Sequence, residues 1–503
     1  MVKNKKNLIF ALILAVLFLS CSSKINQTAT ELRYGFTTEP STLDPLRSNT
    51  ADGRSILFNV FEGLVKPATD GTFLPCIAES WTIEQGGLMY NFNLRDNVLF
   101  HDGTKLTSAD VKFSLDTAIS TGFLGLSIIQ EVYTPNDRQI RIILSTPDTD
   151  FLPYLTVGIV KAGNTDRENE VIGTGPFFIE SYTIQRDLVL KRFENYWQRL
   201  LPEPVDIPHL EKVTIVFFEN TDAMLLALRA GSIDGASITG SMAAQLDHRF
   251  FDIFHNYSAA VQLLALNNAF PPLNDFRVRQ ALNYGIDIQN IIDTAFFGMG
   301  TPSGSPIIPG LSAYYETGLS FPYNPNHART LLAEAGFNEN NRLTLEITVP
   351  SVYTMHVDTA QVITGQLNNI GVNATIRLVD WTTWLNDIYF GRNYQATIIS
   401  LDSRIVSPRS FLTRYRSSDA ENFINFNSAD FDRVYNEILA ETNEAALNRL
   451  YREAQRIVSA NAASVFIQDI YYYRAFRGGA FGGVLNYPLY VTDFAAIYGI
   501  KKD

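Results

Sequence analysis

Hydrophobic and polar positions alternate with two different periods along most of the chain. From Leu88 to Leu94 every second residue is apolar, which predicts a strand with one buried face. From Thr107 to Ala118 the apolar residues recur at helical spacing. Thr107 and Asp110 have the spacing of a capping box, so we expect this helix to begin at Thr107. Because both periods recur throughout, the sequence predicts a mixed α/β fold.

The clearest longer pattern lies between residues 345 and 379. A short apolar run, Leu345–Pro350, is followed by a helical stretch that includes "AQVITGQLNNIG" and then by the strand-like run "NATIRLV". This order predicts a β-α-β unit. A second amphipathic helix, "DAMLLALRAGSIDGA", should end at Gly231, because a glycine suits the left-handed residue that closes many helices.

The N-terminus has the pattern of a secretory signal. Three lysines within the first six residues precede an unbroken apolar run, Leu8–Leu19. Twelve residues form a helix of about 18 Å, which is too short for a hydrocarbon core of about 30 Å. We therefore predict a lipoprotein signal peptide over 1–20, lipidation of Cys21 after cleavage, and a polar tether over 21–30. A plain signal peptide with an incidental cysteine is the alternative.

The charge balance excludes some partners. Removing residues 1–20 takes away three lysines and no acid, which leaves 37 basic against 52 acidic residues. A nucleic-acid-binding protein needs a basic surface, so no nucleic acid is expected. Besides Cys21 only Cys76 is present, which excludes a disulfide framework. The length of the mature chain predicts more than one domain.

Motifs for enzyme chemistry are missing from the sequence. It contains no H-E-x-x-H, no G-x-S-x-G and no phosphate-binding loop, and its six histidines have no ligand spacing. The acid pair Asp148 and Asp150 suggests a solvated loop. Aromatic residues make up 12% of the chain. Trp381 and Trp384, in "VDWTTWLND", could line a ligand cleft, or Trp384 could be buried at the start of an amphipathic helix.

Several strings together resemble one family. "EPSTLDP" (39–45), "FHDGTKLTSADV" (100–111), "DFRVRQAL" (275–282) and "YREAQRIV" (451–458) occur in order across the mature chain. They resemble the extracytoplasmic solute-binding proteins of ABC transporters, in the peptide-binding (oligopeptide and dipeptide) family. The resemblance implies an α/β fold in the form of a two-lobe, periplasmic-binding-protein-like clamp of the large cluster C type.

The resemblance also implies a division of the chain. Lobe I would comprise 31–268, with an inserted subdomain over about 60–185, and the chain would return to lobe I over 480–503. Lobe II would comprise 269–479. The Pro-rich stretch 267–275 is a plausible crossing between the lobes. Ligand would lie between the lobes, which close by a hinge motion.

The peptide-binding relatives hold the ligand's α-amine with an aspartate placed just before an Asp-Pro pair. Here the matching segment is "ISLDSRIVSPRSFL", so Asp402 is the candidate anchor. The segment departs from the pattern, because Ser407 replaces the second aspartate and Asp402 lies farther from Pro408. Arg404 could form an ion pair with Asp402, which would prevent Asp402 from binding the ligand's amine. Alternatively, Arg404 could hold a ligand carboxylate bidentately.

Backbone contacts complete the expected site. A receptor that tolerates many peptide sequences would use strand-like hydrogen bonds to the ligand backbone. The segments around Thr38 to Ser41 and Ile399 to Leu401 are the expected strands. Trp381 and Trp384 are the expected aromatic contacts.

The function implied is that of a lipid-anchored receptor that binds oligopeptides and delivers them to an ABC permease and its ATPase. It would act as a monomer in the periplasm or on the cell surface, without turnover, metal or cofactor. The alternative is the same fold with a non-peptide solute, such as an oligosaccharide or a metal chelate. A secreted hydrolase and an adhesin or chaperone-like lipoprotein are further possibilities from other classes.

Overall fold

The fold is described by a computed structural model over residues 29–48, 50–123, 125–200, 207–402 and 406–500. Within these ranges, no helix combines the length and the apolar character that a membrane span requires.

The strands of these ranges are numbered in chain order. They are β1 (Glu31–Phe36), β2 (Val65–Pro67), β3 (Phe73–Pro75), β4 (Ala78–Glu84), β5 (Met89–Leu94), β6 (Ile129–Asn136), β7 (Gln139–Leu144), β8 (Phe177–Thr183), β9 (Asp187–Arg192), β10 (Lys212–Phe217), β11 (Gly235–Ile238), β12 (Phe251–Leu266), β13 (Thr301–Pro302), β14 (Thr344–Pro350), β15 (Asn373–Val379), β16 (Ala396–Asp402), β17 (Ser464–Arg477), β18 (Phe481–Gly482) and β19 (Tyr498–Gly499).

The α-helices are numbered in the same way. They are α1 (Ala51–Leu57), α2 (Ser108–Ser120), α3 (Thr221–Ala230), α4 (Gly240–Ala243), α5 (Phe276–Gly285), α6 (Ile288–Ala295), α7 (Pro325–Glu334), α8 (Thr354–Asn369), α9 (Trp381–Thr383), α10 (Pro408–Leu412), α11 (Ala429–Ala440) and α12 (Glu444–Ala460). A π-helical segment, Trp384–Phe390, continues directly from α9.

One mixed sheet runs through the whole molecule. Its strand order is β15-β14-β16-β12-β17-β11-β1-β10-β9-β8, with β13 paired to β17. The β14, β15 and β16 end belongs to lobe II, and the end from β11 to β8 belongs to lobe I. The two lobes are therefore joined by β12 and β17, which are neighbours in the sheet.

The crossing between lobes lies inside these two long strands. The first part of β12 pairs with β17 beside β11, and the part from Val261 onward pairs with β16 as well. Between them the register shifts at residues 258–260, where Ala259 has a φ of 58°. The Pro-rich stretch 267–275 is not the crossing, because Asn267 already bonds lobe II carbonyl groups at Arg392 and Tyr394.

The inserted subdomain contains a separate antiparallel sheet of order β4-β5-β7-β6. In β5 the alternation predicted from the sequence is confirmed, because Tyr90, Phe92 and Leu94 are buried. The predicted capping box is confirmed as well: α2 begins after Thr107, whose backbone N–H donates to the Asp110 carboxylate at 2.8 Å.

The predicted β-α-β unit forms the outer part of lobe II. β14 and β15 are parallel, and α8 connects them. Alternate residues of β14, such as Leu345 and Ile347, share a core with Ile363 and Leu367 of α8. Gly231 closes α3 in the left-handed conformation, as the sequence predicted.

Candidate functional site

The cleft between the lobes is defined by the direction of the strands. β16 is antiparallel to β12 and ends at Asp402, opposite Ala260 of the crossing. β14 and β15 are parallel to β16, so all three end on the side that faces lobe I. In lobe I, β11 runs toward the crossing along β17, and β1 and β10 are parallel to it. The carboxyl ends of both sets of strands thus face each other, which is where open α/β sheets bind ligands.

A cavity of about 340 Å³ lies at this crossing. Lobe I contributes Phe58, Phe61 and the segment 487–491, and lobe II contributes Asp402 and Val406. Ser258 and Ala259 of the β12 bulge line the cavity between them. The cavity is therefore lined mainly by lobe I and its inserted subdomain, and lobe II reaches it at the end of β16, beside the β12 bulge.

Asp402 is placed where the sequence predicted a ligand anchor. It is the last residue of β16, it is exposed, and it lines the cavity. Its backbone carbonyl accepts a hydrogen bond from Arg414 Nη2 at 2.8 Å, which fixes the end of the strand. Asp402 therefore lies at the cavity on a strand end that Arg414 holds in place.

The edge of β16 next to Asp402 is open on one side. β16 pairs with β12 over its whole length but with β14 only at Ala396 and Thr397. Beyond Thr397, no described strand pairs with this edge. Ile399 to Leu401 form a strand, as the sequence predicted, and their pairing with a ligand backbone stays a prediction.

The two tryptophans have different roles. Trp381 is 38% exposed at the carboxyl end of β15. Trp384 is 2% exposed, and its Nε1 donates to Thr397 Oγ1 at 2.9 Å, so the expectation that it contacts ligand is wrong. Trp384 is a core residue on which Trp381 stacks, with ring centroids 5.1 Å apart.

The expected strand at Thr38 to Ser41 is also wrong. β1 ends at Phe36, and both residues are exposed in irregular structure after it. Thr38 donates to the carboxylate of Asp52, which also accepts from the hydroxyl of Tyr490 at 2.7 Å. Burial raises the pKa of Asp52. Because Tyr490 lines the cavity, Thr38 is linked to the cavity through Asp52 and Tyr490.

Two predicted residues, Cys21 and Arg404, lie outside the described residues.

One wall of the cavity is stabilised by a buried carboxylate that was not singled out in the sequence. Glu62 accepts hydrogen bonds from the Tyr196 hydroxyl at 2.8 Å, from Trp197 Nε1 at 3.0 Å and from Thr174 Oγ1 at 2.9 Å. Burial raises the pKa of this carboxyl despite its donors. Glu62 and Trp197 are 135 positions apart in the chain, so no local pattern in the sequence indicated this contact.

The acid pair at 148 and 150 is not a solvated loop. Arg409 at the start of α10 binds Asp148 with both terminal nitrogens, and its Nε lies 3.8 Å from Asp150 Oδ2. All three side chains are at most 13% exposed. Burial raises the pKa of Asp150 to about 6, although Arg409 opposes this. This cluster joins the inserted subdomain to lobe II.

Comparison with known proteins assigns the family. The pattern that defines "Bacterial extracellular solute-binding proteins, family 5 Middle" matches residues 72–423, more than half of the chain. Heme-binding protein A of Haemophilus influenzae is 27% identical over 77% of each chain. Probable di/tripeptide-binding protein 5 of Pseudomonas aeruginosa is 26% identical over 78% of this chain and 81% of its own.

Solved structures have the same fold. The unliganded open form of the periplasmic murein tripeptide binding protein MppA superposes with a TM-score of 0.86 at 22% identity, covering 94% of this chain and 98% of its own. Such proteins are two-lobe periplasmic binding proteins of cluster C, as the sequence predicted. The chain therefore belongs to family 5 of the bacterial extracellular solute-binding proteins, receptors that bind a solute outside the cytoplasm and deliver it to an ABC importer.

Proposed function

We propose that this receptor binds oligopeptides in the cleft, with the ligand's α-ammonium group held by Asp402. The observation that carries the proposal is the position of this carboxylate. It ends β16 at the inter-lobe cavity, next to the open edge of the same strand.

Charge and hydrogen bonding both favour a peptide. An exposed carboxylate that becomes enclosed when the lobes close needs a cationic partner, because an unpaired buried charge is costly. The open edge of β16 offers backbone donors and acceptors to an extended peptide, as in strand addition to a sheet. Backbone contacts ignore side-chain identity, so they suit a receptor for many sequences.

Rotation at the hinge links ligand binding to transport. Only two neighbouring strands, β12 and β17, connect the sheet halves at the bulge of residues 258–260. A ligand that touches both lobes favours the closed state over the open one, because those contacts exist together only in the closed state. The permease and ATPase would receive the peptide from that closed state, and the receptor itself would catalyse no reaction.

The relatives favour a peptide ligand but do not identify the ligand of this receptor. The Pseudomonas aeruginosa protein and MppA are named for di/tripeptides and a murein tripeptide, whereas the Haemophilus influenzae protein is named for heme. The proposal of a peptide ligand therefore rests on Asp402 and the strand edge.

The test is the affinity of the Asp402→Asn variant for free and N-acetylated peptides by isothermal titration calorimetry. Loss of a charged partner in an enclosed site costs about 2 kcal/mol or more, so free peptides should bind about 30-fold more weakly. Wild type should bind N-acetylated peptides weakly, and the substitution should change that little. Asp358→Asn, at an exposed position of α8, is the control. Equal losses for both peptide types would refute the anchor.

We also propose that Cys21 carries the lipid that keeps the receptor on the membrane near its permease. A Cys21→Ala variant should be released into the soluble fraction of cells, whereas wild type sediments with membranes. Sedimentation of the variant with membranes would refute this proposal.

A further inference from the structure

An exposed apolar surface lies at the cleft-facing end of lobe II. It consists of Val352, Tyr353, Met355 and Trp381, which we call the apolar shelf. Their exposed fractions are 62%, 39%, 41% and 38%. Large apolar side chains that are exposed together commonly mark a binding surface.

The shelf is held rigidly from below. Trp381 stacks on Trp384 with an interplanar angle of 8°, and Trp384 is fixed by its hydrogen bond to Thr397. Tyr353 meets Trp381 edge to face, with ring centroids 5.5 Å apart. An aromatic surface that is ordered before binding loses little entropy when a ligand covers it.

The position of the shelf relative to Asp402 follows from the sheet register. β14 pairs with β16 at Thr348 and Thr397, and continuing this register brings the end of β14 beside Ile399. β16 runs three residues further, to Asp402. The gap beside β16 is therefore about 10 Å long, at about 3.3 Å per residue.

The shelf lies next to this gap. Val352 and Tyr353 follow β14 directly, and Trp381 follows the neighbouring strand β15. Because these strand ends face lobe I, the shelf lies on the side of lobe II that is turned toward the cleft. The position favours the cleft ligand as its occupant, rather than a membrane or a partner protein.

We infer that the shelf binds the side chain of the third residue of the peptide, and that the receptor prefers an aromatic or bulky apolar residue there. This inference rests on the proposed function. A peptide whose amine lies at Asp402 and whose backbone follows β16 fills the gap with three residues. Side chains of an extended chain alternate between faces, so the first and third share one face. The third reaches the end of β14 and hence the shelf.

The test compares four tripeptides, Ala-Ala-Ala, Phe-Ala-Ala, Ala-Phe-Ala and Ala-Ala-Phe, by titration calorimetry. Aromatic contacts together with apolar burial justify an expected gain of about tenfold for Ala-Ala-Phe over Ala-Ala-Ala. The variant Trp381→Ala should abolish most of this gain, measured as the ratio of its affinities for Ala-Ala-Phe and Ala-Ala-Ala. Phe390→Ala removes an aromatic side chain that is 69% exposed outside the shelf, and it should preserve the gain.

The outcomes separate the two proposals. If wild type binds the tripeptides but Phe gains nothing at the third position, or gains only at another position, the shelf inference is wrong and the peptide receptor stands. An equal loss for all four peptides in Trp381→Ala, with folding unchanged in thermal unfolding, also refutes the shelf. If wild type binds none of the four and no longer peptide, the proposed function fails and the shelf inference fails with it.

Discussion

Replacing Asp148 or Asp150 by asparagine should change the stability of the protein in opposite directions. Asp148 receives both terminal nitrogens of Arg409, with Nη2 donating to Oδ2 at 2.6 Å. The Asp150 carboxyl has the longer approach of 3.8 Å to Arg409 and a side-chain hydrogen bond with Ser407, and these do not offset its burial. We predict that Asp148→Asn destabilises the protein and that Asp150→Asn stabilises it near neutral pH.

The magnitude for Asp150 follows from its pKa. Burial raises the pKa of this carboxyl to about 6 from an ordinary value of 3.8, and that value already includes the attraction of Arg409. Between these values the folded protein holds a proton that the unfolded chain has released, so stability falls as the pH rises through about 6. A shift of about two pKa units corresponds to about 3 kcal/mol lost by pH 7.5. The amide of Asn has no charge to bury and avoids this loss.

The opposite sign for Asp148 comes from its pairing with Arg409. Removing one partner of a buried ion pair leaves an uncompensated charge, which costs about 3–5 kcal/mol. Arg409 would retain only the more distant Asp150.

Urea unfolding of wild type, Asp148→Asn and Asp150→Asn at pH 4.5, 6 and 7.5 checks both signs. Wild type should lose stability between pH 4.5 and 7.5 relative to Asp150→Asn, and the two should converge at pH 4.5. If Asp150→Asn is as destabilised at pH 7.5 as Asp148→Asn, the carboxyl is held as a favourable charge and the reasoning is refuted.

Three further predictions concern buried groups near the cleft. Glu62→Ala leaves four buried donors, including the Cys76 thiol, without their acceptor, so it should cost about 3 kcal/mol or more in chemical denaturation; a loss below 1 kcal/mol would contradict the network. Ala259→Gly should be tolerated, whereas Ala259→Val should lower the unfolding free energy by about 1–2 kcal/mol, because the φ of 58° disfavours a β-branched residue. Burial raises the pKa of the Asp469 carboxyl well above its ordinary value, although the Ser258 backbone opposes this, so Asp469→Asn should gain thermal stability over wild type at pH 8 relative to pH 5; a constant difference would refute this.

The parts of the fold that the sequence predicted are those fixed by neighbouring residues. The capping box at Thr107 joins groups three residues apart, and alternation in β5 depends only on the pleat of one strand. The β-α-β unit joins elements that are consecutive in the chain. In each case the pattern contains all of the interacting groups.

The missed features depend on residues that are distant in the chain. Asp148 and Arg409 are 261 positions apart, so nothing near Asp148 indicated that its loop is buried. The crossing of the lobes was placed in a Pro-rich stretch, but it lies within β12, a strand of 16 residues that a bulge divides. The bulge has no glycine or proline to mark it, because Ala259 adopts the left-handed conformation itself.

In the candidate site, too, contacts between residues that are distant in the chain could not be predicted from the sequence. Trp381 and Trp384 are three residues apart in one polar segment, and the sequence left open whether Trp384 lines the cleft or is buried. Their exposures differ because Trp384 finds a buried partner, Thr397, on a strand that lies later in the chain. Asp402 could be found from the sequence because a family pattern marks it, whereas its open strand edge depends on where β14 stops.

The geometry of the crossing indicates the order in which the ligand binds Asp402 and the lobes close. Asp402 pairs with Ala260, next to the bulge about which the lobes would rotate, so closure displaces this carboxylate little. Trp381 follows β15, two strands farther from β12 in the sheet, and a rotation about the crossing carries it through a longer arc. We infer that the amine can bind Asp402 while the cleft is still open, and that closure then brings lobe I over the third side chain on the shelf. In such a sequence the anchor governs the association of any peptide with a free amine. The shelf governs dissociation from the closed state, so Trp381→Ala should raise the off-rate for Ala-Ala-Phe and leave its on-rate nearly unchanged.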